Sequence, residues 1–179
     1  MVIELDELLH VHLETITNPH LIRYYQLLFI IEGSGNLWID SNKYSFQNKD
    51  MLAVSKGLIQ IMEFSKNIKG FAILFSEEYI YKHPRDIGWV NNLLLFDHAT
   101  ASPIIKLQDI EYLELLIILS KVRAEISSEN SFVKDEILFS LLKTFLLITE
   151  RVKRAVSGND NHYEGEWHYL NKFKESLEA

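Results

Sequence analysis

The run Leu27-Leu28-Phe29-Ile30-Ile31, followed at once by Glu32-Gly33-Ser34-Gly35, restricts the fold of this chain more than any other stretch. Five apolar residues without a polar face suit a strand covered on both sides, as in the middle of a two-layer β structure. Gly33 and Gly35 bracket Ser34, so the backbone can take the positive φ values of a tight reversal. Beyond it Leu37 and Ile39 alternate with Asn36, Trp38 and Asp40, which reads as a returning strand with one face inward.

Turns then recur at short intervals. Ser41-Asn42-Lys43 precedes Tyr44 to Phe46, and Gln47 to Asp50 precedes Met51 to Val54. Ser55-Lys56-Gly57 precedes Leu58 to Phe64, and Ser65-Lys66-Asn67 precedes Gly70 to Phe75. Strands so spaced, with no helix between them, predict an antiparallel sandwich or barrel. No βαβ alternation accompanies Gly33-x-Gly35, and the third glycine and following helix of a phosphate loop are absent, so a nucleotide-binding fold is not expected.

The second half changes period. Ser76-Glu77-Glu78 opens a short helix near 77–83 that stops at His83-Pro84. An irregular stretch runs through Trp89 and Phe96 to Pro103. Asp109 caps a helix reaching about Ser127, and after a polar break a longer helix spans about Phe132 to Val156. In the latter, Leu138, Phe145 and Val152 fall at heptad spacing, with Leu141, Ile148 and Ala155 between them. Two helices joined by a short loop make a hairpin. Residues 157–167 have linker composition. Tyr169, Leu170, Phe173 and Leu177 outline one side of a further helix.

With 179 residues, 47% of them hydrophobic, the chain can bury a core in one domain. A formal charge of −7 disfavours contact with nucleic acid or anionic membrane over the surface as a whole. The absence of cysteine removes thiol nucleophiles and thiolate metal sites and fits a reducing compartment. Acidic residues at Glu4, Asp6 and Glu7 argue against a signal peptide, and Lys143 breaks the apolar run Ile137 to Ile148, so the expected location is the cytoplasm, with no membrane partner.

Near the start, His10, His12 and Glu14 alternate. On a strand they share one face, where two histidines can ligate a metal; a solvent-facing edge strand is the plainer reading. His83, His98, His162 and His168 lack acid or serine partners at useful spacings and read as surface histidines.

The order of parts carries a resemblance. A strand, the Glu32-Gly33-x-Gly35 turn, a second strand, a turn with Asp50, the Gly57 turn, Phe71 to Tyr79 and a helical hairpin together resemble the amino-terminal sensing and dimerisation half of AraC-type bacterial transcription regulators. The resemblance implies a cupin-like double-stranded β-helix, or jelly roll, over residues 1–107, then a dimerising two-helix hairpin over 108–156. It also implies a linker over 157–167 and, at 168–179, the start of a helix-turn-helix DNA-binding domain lying outside this chain.

Carried onto this sequence, the metal ligands of cupins fall at His20, Ile22, Gln26 and Gln60. One imidazole with two neutral amides is a poor transition-metal site, so neither metal nor cofactor is expected, and no catalytic residue. The resemblance implies instead a small-molecule effector held by His20, Tyr24, Gln26, Gln60 and Met62, with Arg23 and Trp38 near the barrel mouth; Trp38 otherwise packs against the helices. It also implies a homodimer joined through Leu138, Leu141, Phe145, Ile148 and Val152. The competing reading is a stand-alone cupin-fold enzyme, an isomerase or metal-dependent oxygenase, acting on a small organic substrate. A barrel filled by mutual contacts of His20, Gln26 and Gln60 is the third.

Overall fold

The computed structural model describes residues 1–82, 89–99, 101–129 and 131–157. The apolar run Leu27–Ile31 lies in β3 (Tyr25–Glu32), the central strand of a five-stranded antiparallel sheet. Around it stand β1 (Val2–Glu4), β6 (Asp50–Val54), β8 (Lys69–Phe75) and β9 (Ile104–Lys106), in the order β1-β8-β3-β6-β9. A second antiparallel sheet holds β2 (His20–Leu21), β4 (Gly35–Ile39), β5 (Asn42–Phe46) and β7 (Ile59–Phe64), in the order β2-β7-β4-β5. The six longer strands lie where the turn spacing predicts them. The three short edge strands β1, β2 and β9 carry too few residues to show a period.

Both faces of β3 are covered, by different material. Leu28 and Ile30 point between the sheets, into a core with Leu37, Leu52, Met62 and Ala72. Tyr25, Leu27 and Phe29 point the other way, into a core shared with helical residues such as Leu115, Leu119, Phe139 and Phe145. The molecule is thus layered as sheet, sheet and helices, and β3 belongs to both cores.

The two glycines of the β3–β4 reversal serve different ends. Gly33 has φ of +103°, which a side chain would strain. At Gly35 a Cβ would sit 2.2 Å from the Glu63 carbonyl and 2.4 Å from the Phe46 ring, so there close approach, not φ, requires glycine.

The described fold also holds four α-helices, α1 (Leu5–Thr17), α2 (Glu77–Tyr81), α3 (Asp109–Ile126) and α4 (Lys134–Ser157), and two 3-10 turns at Val90–Asn92 and Leu94–Phe96. Ser76 Oγ accepts the Tyr79 N–H at 3.3 Å and caps α2 as expected. Asp109 is the first helical residue of α3, not its cap, and its carboxylate pairs with Lys49 at 2.6 Å. Asp109 and Glu111 in α3, and Asp135 and Glu136 in α4, favour the positive ends of the helix dipoles.

The reading of His10, His12 and Glu14 as a strand is overturned, because all three lie exposed on α1. Leu5 and Ile16 are buried in the inter-sheet core, and Leu8 and Leu9 pack against it. That spacing follows the 3.6-residue period, which wins over the local alternation of His-x-His. The linker at 157–167 and the helix at 168–179 lie, from residue 158 on, outside the described residues, as do His83, His162 and His168. No described helix is long and apolar enough to cross a membrane.

Candidate functional site

Four of the five expected ligand residues, His20, Gln26, Gln60 and Met62, come together in β2, β3 and β7. His20 is opposite Gln60 in the β2–β7 ladder, while Gln26 reaches across from the other sheet. Gln26 Nε2 donates to Gln60 Oε1 at 3.3 Å, and Gln60 Nε2 donates back to Gln26 Oε1 at 3.3 Å. The second Gln60 amide hydrogen points to His20 Nε2, 3.1 Å away, and His20 Nδ1 lies 2.9 Å from the Asn18 carbonyl. This fixes the tautomer by its partners: Nδ1 donates to Asn18 and Nε2 accepts from Gln60. Gln26 Nε2 also approaches the Met62 sulfur at 4.0 Å.

The arrangement is a polar staple between the two sheets, with both glutamines at most 5% exposed. Its donors and acceptors are matched to one another, so it satisfies buried amides without a ligand. Ile22 is buried in the same core and offers no donor, and His20 Nε2 is already engaged, so these residues do not fit a metal. Among the described residues no three His, Asp or Glu side chains cluster as a metal site would need. Tyr24 stands apart from the staple, exposed before β3. Trp38 lies on the outside of the second sheet, where the Lys43 ammonium sits 5.0 Å from its ring centre.

A cavity of about 460 Å³ lies on the other face of the first sheet. Its floor is Ile73 and Phe75 of β8, its walls are Leu119 and Val122 of α3 with Leu138 and Leu142 of α4, and Phe145 closes the back. Ser76, Tyr79 and Asp135 edge it. This cavity lies on the opposite side of β3 from the residues expected to hold a ligand. Apolar residues on both faces of a strand cannot show which face will be filled completely.

The expected dimer seam needs a correction. Phe145, Ile148 and Val152 are buried in the chain's own core, and Leu138 turns to the cavity. The heptad stripe of α4 is thus spent on the sheet beneath it. Leu141 alone of the five borders an open groove, with Ile137 and Thr144. Exposed apolar side chains stand instead on α3, at Ile110, Leu113 and Ile117, with Leu147 on α4. The spacing i, i+3, i+7 puts the first three on one stripe. The Glu114–Arg151 ion pair joins the two helices at the level of Leu113, Ile117 and Leu147.

A buried clasp ties α4 to the segment after α2. Glu150 accepts the Leu94 N–H at 2.8 Å and the Leu95 N–H at 2.9 Å, and the Arg154 guanidinium at 2.5 Å. Lys153 donates to the Leu95 carbonyl at 3.1 Å. Burial pulls the Lys153 ammonium down to about 8, against the favourable charge of Glu150. His98 continues the clasp to the sheets. Its Nε2 accepts the Ser55 N–H at 2.9 Å, and burial, then the Lys153 charge, push its imidazole down to about 4. It is a tethered, neutral imidazole at neutral pH, not the surface histidine expected. No motif marks Glu150; its one signal is a carboxylate placed between Ile148, Thr149 and Val152 on the apolar side of the helix.

No family model and no curated protein matches the chain. Solved structures of ToxT from Vibrio cholerae are similar to it. An apo form of a ToxT variant shares 13% identity over 82% of this chain and 52% of that one, with a TM-score of 0.47. A P21 crystal form shares 15% over 77% and 52%, at 0.43. ToxT bound to (E)-4-(8-methylnaphthalen-1-yl)but-3-enoic acid shares 14% over 87% and 66%, at 0.38. ToxT is an AraC-family regulator. The chain spans about half the length of the first two structures. The staple, the cavity and the clasp are read from this chain's own side chains.

Proposed function

We propose that this chain is the effector-sensing and dimerisation domain of an AraC-type transcription regulator. In this reading the two sheets form a cupin-like double-stranded β-helix, and α3 and α4 form the dimerising hairpin. DNA is contacted only through a half outside these 179 residues, the protein is cytoplasmic, and it catalyses no reaction. The observation that carries the reading is the shared layer. The helices that carry the exposed stripe Ile110, Leu113 and Ile117 on one side are the same helices that wall the apolar cavity on the other. A ligand held there bears directly on the elements that meet a second copy, which is what a sensing and pairing module requires.

The homodimer is assigned to that stripe together with Leu147, replacing the buried α4 residues. A two-fold contact uses one patch twice, so a single apolar stripe on each copy suffices. Sedimentation equilibrium should give a dimer for the unmodified chain at tens of micromolar and a monomer for Leu113→Asp, whose carboxylate would be buried unpaired. A monomeric unmodified chain, or a dimer that Leu113→Asp and Ile117→Asp leave intact, would reject this assembly.

A further inference from the structure

We propose that the cavity beneath α3 and α4 is the effector site, and that it takes a neutral, predominantly apolar small molecule with one hydrogen-bonding group. Its volume, about 460 Å³, lies inside the range of roughly 300–1,000 Å³ typical of small-molecule sites. The walls come from five separate elements, β1, β8, α2, α3 and α4, so the space is a gap between layers and not a dent in one surface.

The chemistry of the rim selects the ligand. Among the described residues, two charged groups border the cavity, the Met1 amino group and the Asp135 carboxylate. The amino group is held on the Leu74 carbonyl at 2.7 Å, and the carboxylate is solvated at the edge. The Lys82 ammonium lies 5.9 Å from the centre of the Tyr79 ring, and the Asp135 and Glu136 carboxylates act on the Tyr79 phenol. The described charges at the rim carry both signs, and an ion of either sign would lose its hydration among Ile73, Phe75, Leu119 and Leu142. A neutral molecule is not penalised in this way. Its hydrogen-bonding group can meet Asp135 or the Ser76 hydroxyl at the rim, while its body displaces water from apolar walls. Burial and the Asp135 and Glu136 charges raise the Tyr79 phenol, so it stays a neutral hydroxyl there.

The binding claim stands on the cavity alone; its regulatory consequence rests on the sensing function proposed above. The uncharged fluorophore N-phenyl-1-naphthylamine tests the first. Titrated into the 179-residue chain, it should bind saturably, one per protomer, with enhanced emission. Val122→Trp, which projects an indole from α3 into the space, should weaken it at least tenfold with the circular dichroism unchanged. Leu138→Phe fills the same space from α4 with a smaller change, should Val122→Trp fail to fold. Gln60→Leu, in the staple on the far side of β3, should leave the affinity within twofold. Absence of saturable binding, binding insensitive to both filling variants, or loss through Gln60→Leu overturns the proposal. The anionic relative 8-anilinonaphthalene-1-sulfonate should bind at least tenfold more weakly, and equal affinity would refute the charge argument. Sedimentation with and without the fluorophore separates the two levels: saturable binding with an unmoved dimer equilibrium supports the cavity and counts against sensing.

Discussion

The two faces of β3 are built from similar residues and do opposite things. Toward the second sheet, Leu28 and Ile30 enter a closed core, and the only polar group, Gln26, is bonded by Gln60 in both directions. Toward the helices, Tyr25, Leu27 and Phe29 enter a core rich in aromatic rings, with Tyr25 stacked on Phe75 at 5.2 Å and Phe29 on Tyr112 at 5.0 Å. That second core is incomplete, since the helices stand off β8 and leave the cavity. Strand pairing fixes the spacing of neighbouring strands, and the two glutamines join the sheets, so the inner core can close. Helices are held to a sheet by side chains alone. Their distance depends on how well large rings fit, and a gap on that side costs less than a broken ladder.

The clasp is what keeps the helical face in place, and breaking it should produce the largest loss. Glu150→Ala strips the Leu94 and Leu95 N–H groups of their acceptor and removes a buried carboxylate that faces Lys153 and Arg154. Removing one partner of a buried ion pair costs about 3–5 kcal/mol, so urea denaturation should show a loss of that order. Glu150→Gln, which keeps a carbonyl acceptor, should lose less. If Glu150→Ala loses under 1 kcal/mol, a ceiling well below the cost usual for such a pair, the helical layer is held by its apolar contacts alone.

The staple should behave differently, because its partners are neutral. Gln26→Leu leaves the Gln60 amide buried and half-satisfied, at a cost of about 1–3 kcal/mol. Replacing Gln60 by Leu as well removes the orphan and should recover most of that loss. Equilibrium unfolding of both single variants and the double gives the coupling directly. Strictly additive losses would show that the two side chains do not support one another.

What the sequence discloses follows the same division. β3 to β8 are legible because alternation and turn residues act over a few positions, and Gly33 and Gly57 announce the positive φ they adopt. The joining of His20, Gln26 and Gln60 is what the cupin resemblance implies; spacing alone would not have singled them out. The outcome of that meeting is not legible, since reciprocal bonds and an open site use the same residues. Leu138, Phe145 and Val152 recur at heptad spacing whether they face a sheet or a second chain, so periodicity could not assign them. Ile110, Leu113 and Ile117 stood in the sequence with an equally regular spacing. Only the packing of Leu115, Ile118 and Leu119 onto the sheet shows that those three are left outside.

The pH dependence should report on the clasp through His98 and Lys153. His98 sits at about 4 in the fold against 6.5 for a free imidazole. Between those values the unfolded chain binds the extra proton, so stability is lost as pH falls from 6.5 toward 4. Lys153 sits at about 8 against 10.5, and again the unfolded chain binds more protons between the two. Stability therefore rises a second time from pH 8 to 10.5. Each step should be gentler than one full proton, because both groups keep some solvent contact. Urea midpoints across pH should show His98→Gln flattening the acid step only, whereas Lys153→Met removes the alkaline step and, by taking away the charge that helps hold His98 down, also shortens the acid step. An unchanged acid step in His98→Gln would assign it to carboxylates elsewhere.

The smallest change is expected on neither face of β3, at the two histidines of α1. A helix advances about 100° per residue, so His10 and His12 are separated by roughly 200° around its axis. The backbone at His12 departs from helical values, with φ of −122° and ψ of 16°, which turns the following residues further from the first part of the helix. Both side chains are exposed, and no third carboxylate or imidazole among the described residues joins them in a metal-binding group. His10→Ala and His12→Ala should each change stability by less than about 0.5 kcal/mol, the usual scale for exposed positions. Because a metal that binds the folded state alone raises its stability by mass action, zinc offers a sensitive check. Melting curves with and without zinc should superimpose for the unmodified chain and for both variants. A zinc-dependent rise that either substitution abolishes would restore the histidine pair as a metal site and reopen the enzymatic reading of the fold.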